Sequence, residues 1–348
     1  MMTPLIIPIF LPHLGCRERC LFCNQKTTAK EVPFPKTVRE FIEISLHHLS
    51  FHSLKSEKQV AFYGGSFTAM SRAVQACYLN EVQTFISAYR INSIRISTRP
   101  DALNEETLTM LKAYGVKTVE VGVQSMVDEV LLLSKRGHTA ENSSTAILRL
   151  KHSGFEVGVH LMIGLPGDTC DKFLQSLDQI IGLKPDFVRI HPTLVLRGAS
   201  LEELWRSGKY SPLTLDEAME WLKKGMLKLE RASIPVARIG LQPTQELEEN
   251  LLAGPFHPAL HQLVDSAIFY DMAETLLQNH LDGSKPVFFC NPKDLSNLKG
   301  QRNGNIPRLK KHFNRSDIFV FGMEDVTRGR LVLQSKAGEV FIDRKSFN

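Results

Sequence analysis

The chain has 348 residues, 43% hydrophobic and 23% charged, with 42 Lys and Arg against 37 Asp and Glu for a net charge of +5. That balance excludes a disordered or low-complexity chain, and six cysteines over this length are too sparse for a disulfide-built secreted domain. No apolar run reaches the ~20 residues that span a bilayer, so a reduced, cytoplasmic protein without a membrane partner is expected.

The opening MMTPLIIPIFLPHLG has no basic n-region, contains three prolines and lacks a small-residue cleavage site, so "LIIPIF" at 5–10 reads as a strand and not an export signal. From Thr37, the apolar positions Val38, Phe41, Ile42, Leu46 and Leu49 mark one face of a helix. Further strand-length runs follow: "VAFYGG" at 60–65, "IRIST" at 94–98, "VEVGV" at 119–123, "VGVHLMIG" at 157–164 and "FVRIHP" at 187–192. Segments of helical spacing separate them, one with Ile147 and Leu150 before a terminating Gly154. Near-continuous apolar strands alternating with helices predict a parallel sheet covered on both faces.

Each unusual polar or glycine-rich stretch follows a strand end: the cysteines, then "GGSFT", "STRPD", "GVQS", "GLPGD" and "HPTLVLRG". Residues collected at strand C-termini form the active face of a β/α barrel. The expected fold is therefore α/β, a partial (β/α)6 TIM-like barrel over residues 1–243, with "IPVARIGLQP" at 234–243 as its last strand. Ser200 with Glu203 and Thr214 with Glu217 fit capping boxes at two helix starts. After "AGPFHPAL" one more helix to about Gln278, "PVFFC", "IFVFG" and a hairpin from Leu331 to Ile342 predict a small C-terminal α+β domain, residues 244–348.

Three thiols within eight residues, Cys16, Cys20 and Cys23, carry the chemistry. Their C-x3-C-x2-C spacing suits a tetrahedral zinc closed by a fourth ligand such as His13, or an iron-sulfur cube with one iron left without a protein ligand. Cys77, Cys170 and Cys290 share no such spacing and read as ordinary thiols.

The cysteine run with Phe22 before its last thiol, placed after a first strand, resembles the radical S-adenosylmethionine (SAM) superfamily. "FYGGSFT", "ISTRPD", "VEVGVQSM", "RGHT", "MIGLPGD" and "PDFVRIHPTLV" resemble its Elp3-like branch, named for the catalytic subunit of Elongator, from about Pro4 to Leu241. The resemblance implies a barrel of the radical SAM type, a [4Fe-4S] cluster held by the three cysteines, and reductive cleavage of SAM to a 5′-deoxyadenosyl radical. It further implies an electron donor such as flavodoxin or ferredoxin.

Cofactor contacts are expected at Gly64, Gly65 and Ser66, where a glycine turn exposes carbonyls and a hydroxyl to an ammonium group. Gln124 can offer a carboxamide to ribose hydroxyls, and Arg136 a bidentate pair to the methionine carboxylate; both positions match the family's Gln and Arg. Ser97, Arg99 and His160 complete the candidate set, and no catalytic side chain is assigned. Coproporphyrinogen oxidases usually carry carboxylates where Ser97 and His160 stand, so the sequence departs from a tetrapyrrole enzyme. "GLPGD" at 164–168 lacks the Lys-Ser/Thr of a P-loop; in the family it borders the adenine, with Asp168 or Thr169 capping the next helix.

Between Lys285 and Arg315 eight basic residues face the single acid Asp294, and the segment 299–315 is expected to bind RNA phosphates, in keeping with the branch's tRNA substrate. Only about 100 residues follow the barrel, too few for the acetyltransferase domain of full-length Elp3. The alternatives are a radical enzyme acting on a small molecule and a zinc-stabilised RNA adaptor.

Overall fold

The structure, a computed structural model, describes residues 4–16, 20–25, 32–48, 56–281, 283–336 and 338–347. The chain separates into two compact units, residues 1–213 with 242–255, and residues 214–241 with 256–348. Tertiary contact therefore does not follow chain order; the strand Val236–Ile239, expected as the last of the barrel, is the seventh strand of the barrel sheet.

The first unit is built on a curled half-barrel. Among the described residues, its parallel strands are β1 (Leu5–Leu11), β2 (Lys58–Gly64), β3 (Ser93–Thr98), β4 (Val116–Gln124), β5 (Glu156–Ile163) and β6 (Phe187–Pro192), adjacent in that order. Helices Pro35–His47, Arg72–Ser87, Glu105–Ala113, Ala140–His152 and Cys170–Leu183 supply crossovers. Side chains that open these helices fix where they start: Ser71, Asn104, Thr139 and Thr169 each accept a backbone N–H of the first turn. Leu49 lies outside the described residues.

Strand alternation divides the sheet into two unlike faces. Val60, Phe62, Ile94, Ile96, Val119, Val121, Val157, Val159, Val188 and Ile190 are buried on the helix side. The other face carries Tyr63, Arg95, Ser97, Thr118, Glu120, His160 and Arg189, related by the register Ala61–Arg95–Thr118–Glu156 and Gly122–His160–Arg189. The half-barrel thus has an apolar back and a polar lining.

The second unit contains helices Leu215–Arg231 and Leu260–His280 and a four-stranded sheet. The expected capping box forms at Thr214 and Glu217. That at Ser200 does not: Ala199 occupies the cap position, and Glu202 in the first turn accepts the Gly198 N–H at 2.7 Å. "PVFFC", "IFVFG" and the hairpin become strands Val287–Cys290, Phe319–Gly322, Arg330–Ser335 and Gly338–Asp343.

Gly158 on β5 lies opposite Phe187 on β6, and a Cβ there would meet the Phe187 ring at 2.2 Å. That ring in turn supports Arg95, whose guanidinium stands 5.0 Å from its centroid. Gly158→Ala should cost about 1–3 kcal/mol through overpacking, read as a lower urea midpoint at unchanged slope; an unaltered midpoint would show that Phe187 gives way freely.

Candidate active site

The loop after β1 is pressed onto the turn after β2. Gly65 N–H donates to Leu11 O at 2.9 Å and Ser66 N–H to Leu14 O at 2.8 Å. A Cβ on Gly65 would stand 2.0 Å from Leu14 O, and one on Gly15 would stand 2.2 Å from Ser66 O. The two backbones can approach this closely only with glycine at both places.

Leu21 anchors the other side of the loop. Its N–H donates to Ser134 O at 3.2 Å and its carbonyl accepts from Leu201 N at 2.8 Å. Its side chain is buried with Val195 and Leu201, and Phe22 packs on that cluster. Cys16, Cys20 and Cys23 are thereby gathered at the C-terminal end of the sheet, although residues 17–19 between them lie outside the described residues.

The thiols sense one another. Burial pushes the Cys23 thiol up to about 12, and repulsion from Cys20 and Cys16 adds to it. Burial and Cys20 also raise Cys16, opposed by the cations Arg99 and Arg136. Three thiolates that repel each other would be relieved by a cationic centre bonded to all three, so by donor type the set suits an iron-sulfur cluster. Among the described residues no three Cys, His, Asp or Glu side chains are placed so as to hold a metal ion. His13, weighed as a fourth zinc ligand, accepts the Gln25 N–H on Nε2 at 3.0 Å.

Arg136 is the nearest cation in this arrangement. It is 6% exposed, its Nη1 donates to Cys20 Sγ at 2.9 Å, and Nη2 donates to the Gly122 carbonyl. Its Nε is buried without a hydrogen-bond partner, as is Ser97 Oγ. Gln124 ends β4 with φ +71° beside a register shift, and Gly122 lacks a Cβ where the ends of Gln124 and Arg136 meet.

Below these residues lies a buried ionic hub. Glu120 on β4 has no exposed surface. Its Oε1 accepts from Arg95 Nη1 at 2.7 Å and Tyr63 OH at 3.1 Å; its Oε2 bonds His160 Nε2 and lies 2.9 Å from Arg189 Nε. Burial alone would raise the carboxyl, but His160, Arg189 and Arg95 together hold it well below the usual carboxylate range. Arg95 Nε also donates to Gln59 Oε1 at 3.0 Å, and the His160 and His191 rings lie 5.7 Å apart.

Two family models match this chain: Radical SAM superfamily over residues 10–180 and Radical_SAM C-terminal domain over residues 185–269. The chain belongs to the radical SAM superfamily. Members of that family use a [4Fe-4S] cluster and SAM. A tRNA uridine(34) acetyltransferase of Methanocaldococcus jannaschii is 35% identical over 184 residues, 51% of this chain and 34% of the relative. Mouse Elongator complex protein 3 is 28% identical over 177 residues, 45% of this chain and 32% of the relative. The chain spans about a third of the length of these curated relatives. The archaeal Methanocaldococcus infernus Elp3 has a similar fold, with TM-score 0.58 at 23% identity, over 81% of this chain and 65% of that one.

Within this radical SAM fold the other expected site residues take definite places. Gly64 O accepts from Gln25 Nε2 at 3.0 Å, and Ser66 Oγ is fully buried between Thr98 Oγ1 at 3.1 Å and the Arg99 N–H at 3.3 Å. Arg99 clamps Asp101 through two bonds of 2.9 and 3.1 Å. The next helix is capped by Thr169, while burial raises Asp168 to about 6 as its oxygens accept from Gly164 N and Thr169 N. His138 in "RGHT" is buried with Nε2 facing Val123 O, and burial followed by Arg136 and Arg99 lowers it to about 4.

Tyr63, Arg95, Glu120 and Arg189 are absent from the sequence-derived set. Their signal is a single charged or phenolic residue at the interior of strands that otherwise read as apolar: "AFYGG", "IRIST", "VEVGV" and "VRIHP".

Removing one partner of a buried ion pair leaves the others uncompensated, so Glu120→Gln should cost about 3–5 kcal/mol at neutral pH. Because the folded carboxyl is depressed, its contribution is present above the unfolded value and lost as pH falls. Urea unfolding of the native chain should weaken below about pH 5, while the variant shows a flatter acid limb. Equal acid limbs would contradict the depressed carboxyl.

Proposed function

We propose that the chain is a radical SAM enzyme acting on RNA, with tRNA as the substrate class. Cys16, Cys20 and Cys23 would hold a [4Fe-4S] cluster, the group that would bind SAM and supply its one-electron chemistry. Such a cluster, reduced by a donor such as flavodoxin or ferredoxin, would supply the electron for reductive cleavage of SAM. The observation that carries this reading is the clamped thiol loop with Arg136 Nη1 on Cys20 Sγ.

The chain's own residues divide the work. Arg136 donates to Cys20 Sγ and would, with a cluster bound there, help to set its potential. Ser97 Oγ and Arg136 Nε, buried and unmatched, are polar atoms free to face SAM, with Gln124 beside Arg136. Arg99 and His160, already engaged with Asp101 and Glu120, position this surface. The tRNA reading is supported by relatives whose names describe tRNA uridine modification.

The basic segment 299–315 is proposed to contact phosphates. Arg302 and Lys311 are exposed and Lys310 is half-buried, whereas Arg315 is bound to Asp317 and Ser284 O and Arg308 lies 4.0 Å from the Tyr270 ring centroid. Helix Asn305–His312 thus presents Lys310 and Lys311 near its C-terminal end.

After oxygen-free reconstitution the native chain should contain iron and sulfide and release 5′-deoxyadenosine, and tRNA from cells with and without it should differ in one modified nucleoside. Cys20→Ala should lose both cluster and release; retained release would overturn the ligand assignment. Replacing Arg302, Lys310 and Lys311 by Gln should weaken tRNA binding and lower the salt slope by roughly one for each phosphate no longer neutralised. An unchanged slope would remove the segment from the interface.

A further inference from the structure

The sheet of the second unit has one buried face and one open face. Its order places strand Phe319–Gly322 at one edge, then Val287–Cys290, Arg330–Ser335 and Gly338–Asp343. Phe288, Cys290, Leu331 and Leu333 are buried on one side. The register runs Phe321–Phe289–Val332–Phe341 straight across all four strands on the other.

That row is open to solvent. Phe321 is 51% exposed and Phe341 56%, with Phe319 on the same face at 44%. Phe289 and Phe321 are stacked, with centroids 6.1 Å apart and planes at 29°. At the far edge the Arg330 guanidinium lies 4.1 Å from the Phe341 centroid, held there by paired bonds of 2.8 and 2.9 Å to Asp343. A surface of this kind costs hydrophobic stability unless something covers it.

We infer that this open aromatic row is a stacking platform for unpaired bases of an RNA strand. Two features favour RNA over a protein surface. Rings on adjacent strands of a four-stranded sheet offer successive bases a π-face at strand spacing. The segment that supplies the strand Val287–Cys290 and leads into Phe319–Gly322 carries Lys285, Lys293, Lys299, Arg302, Lys310 and Lys311 besides the engaged Arg308 and Arg315, with only Asp294 among them, a local charge balance suited to a phosphate backbone. Of the acids on the open face, Asp343 is spent on Arg330, leaving Glu339 exposed at the hairpin edge. The inference rests on RNA being the substrate and adds a second mode of binding, base stacking instead of charge.

The test uses the full chain, Phe321→Ala, Phe341→Ala, their combination and Phe321→Trp, with a short unstructured oligouridylate as probe. Both rings are exposed, so the alanine variants should keep native circular dichroism and melting. Each should weaken binding about tenfold, as removal of one stacked base does, with an unchanged salt slope because every phosphate keeps its cation. Phe321→Trp should bind at least as tightly as the native chain. Ring variants that bind like the native chain overturn the platform while leaving the RNA reading intact. A native chain that cleaves SAM but binds no RNA overturns both. Ring variants that only dissociate a dimer, with unchanged RNA affinity, assign the face to a second copy and overturn the proposal.

Discussion

A carboxylate without solvent contact, Glu120, joins five strands of the half-barrel through Tyr63, Arg95, His160 and Arg189. Taking such charges out of water is expensive, and attraction offsets that only where every lone pair finds a partner. Here both oxygens are fully used, and the cations have further support from Gln59 and from the Phe187 and Tyr63 rings. The arrangement also enforces register, because a shift of one residue along any strand would turn a charge toward the apolar helix layer. A barrel lining rich in donors can therefore coexist with a well-packed back.

The reacting end depends on this frame in a plain geometric sense. The thiol loop and the Gly64–Ser66 turn leave from adjacent strands β1 and β2, and their close approach needs those strands in fixed register. Arg136 bridges Cys20 and the Gly122 carbonyl on β4, one branch of its guanidinium on each. Glycine at Gly15, Gly65 and Gly122 leaves room where backbone or a guanidinium group must come near.

Much of this is legible in the sequence, and the exceptions are instructive. Strand ends announce themselves because glycine and polar residues there break an apolar run, which puts the cysteines, "GGSFT" and Gln124 on one face from the sequence alone. The hub stays hidden: a lone Arg in "IRIST" or Glu in "VEVGV" reads as noise when strands are judged by mean hydropathy, and only cross-strand register brings them together. His160 stands out as a candidate cofactor contact, but forty residues separate it from its partner Glu120, and no spacing rule links the two. Ser200 fails as a cap because a helix start is decided by backbone angles as well as residue type, and Ala199 takes the extended conformation. Adjacent phenylalanines in "PVFFC" look uniformly apolar, yet Phe288 is buried and Phe289 faces outward.

The bond from Leu201 N to the Leu21 carbonyl has a consequence for biogenesis. The segment that braces the thiol loop is synthesised about 180 residues after it, and domains generally fold as units. The nascent thiols would therefore wait, unbraced, through that whole stretch of translation. Until then thiols within eight residues of one another are open to oxidation that the finished brace would oppose.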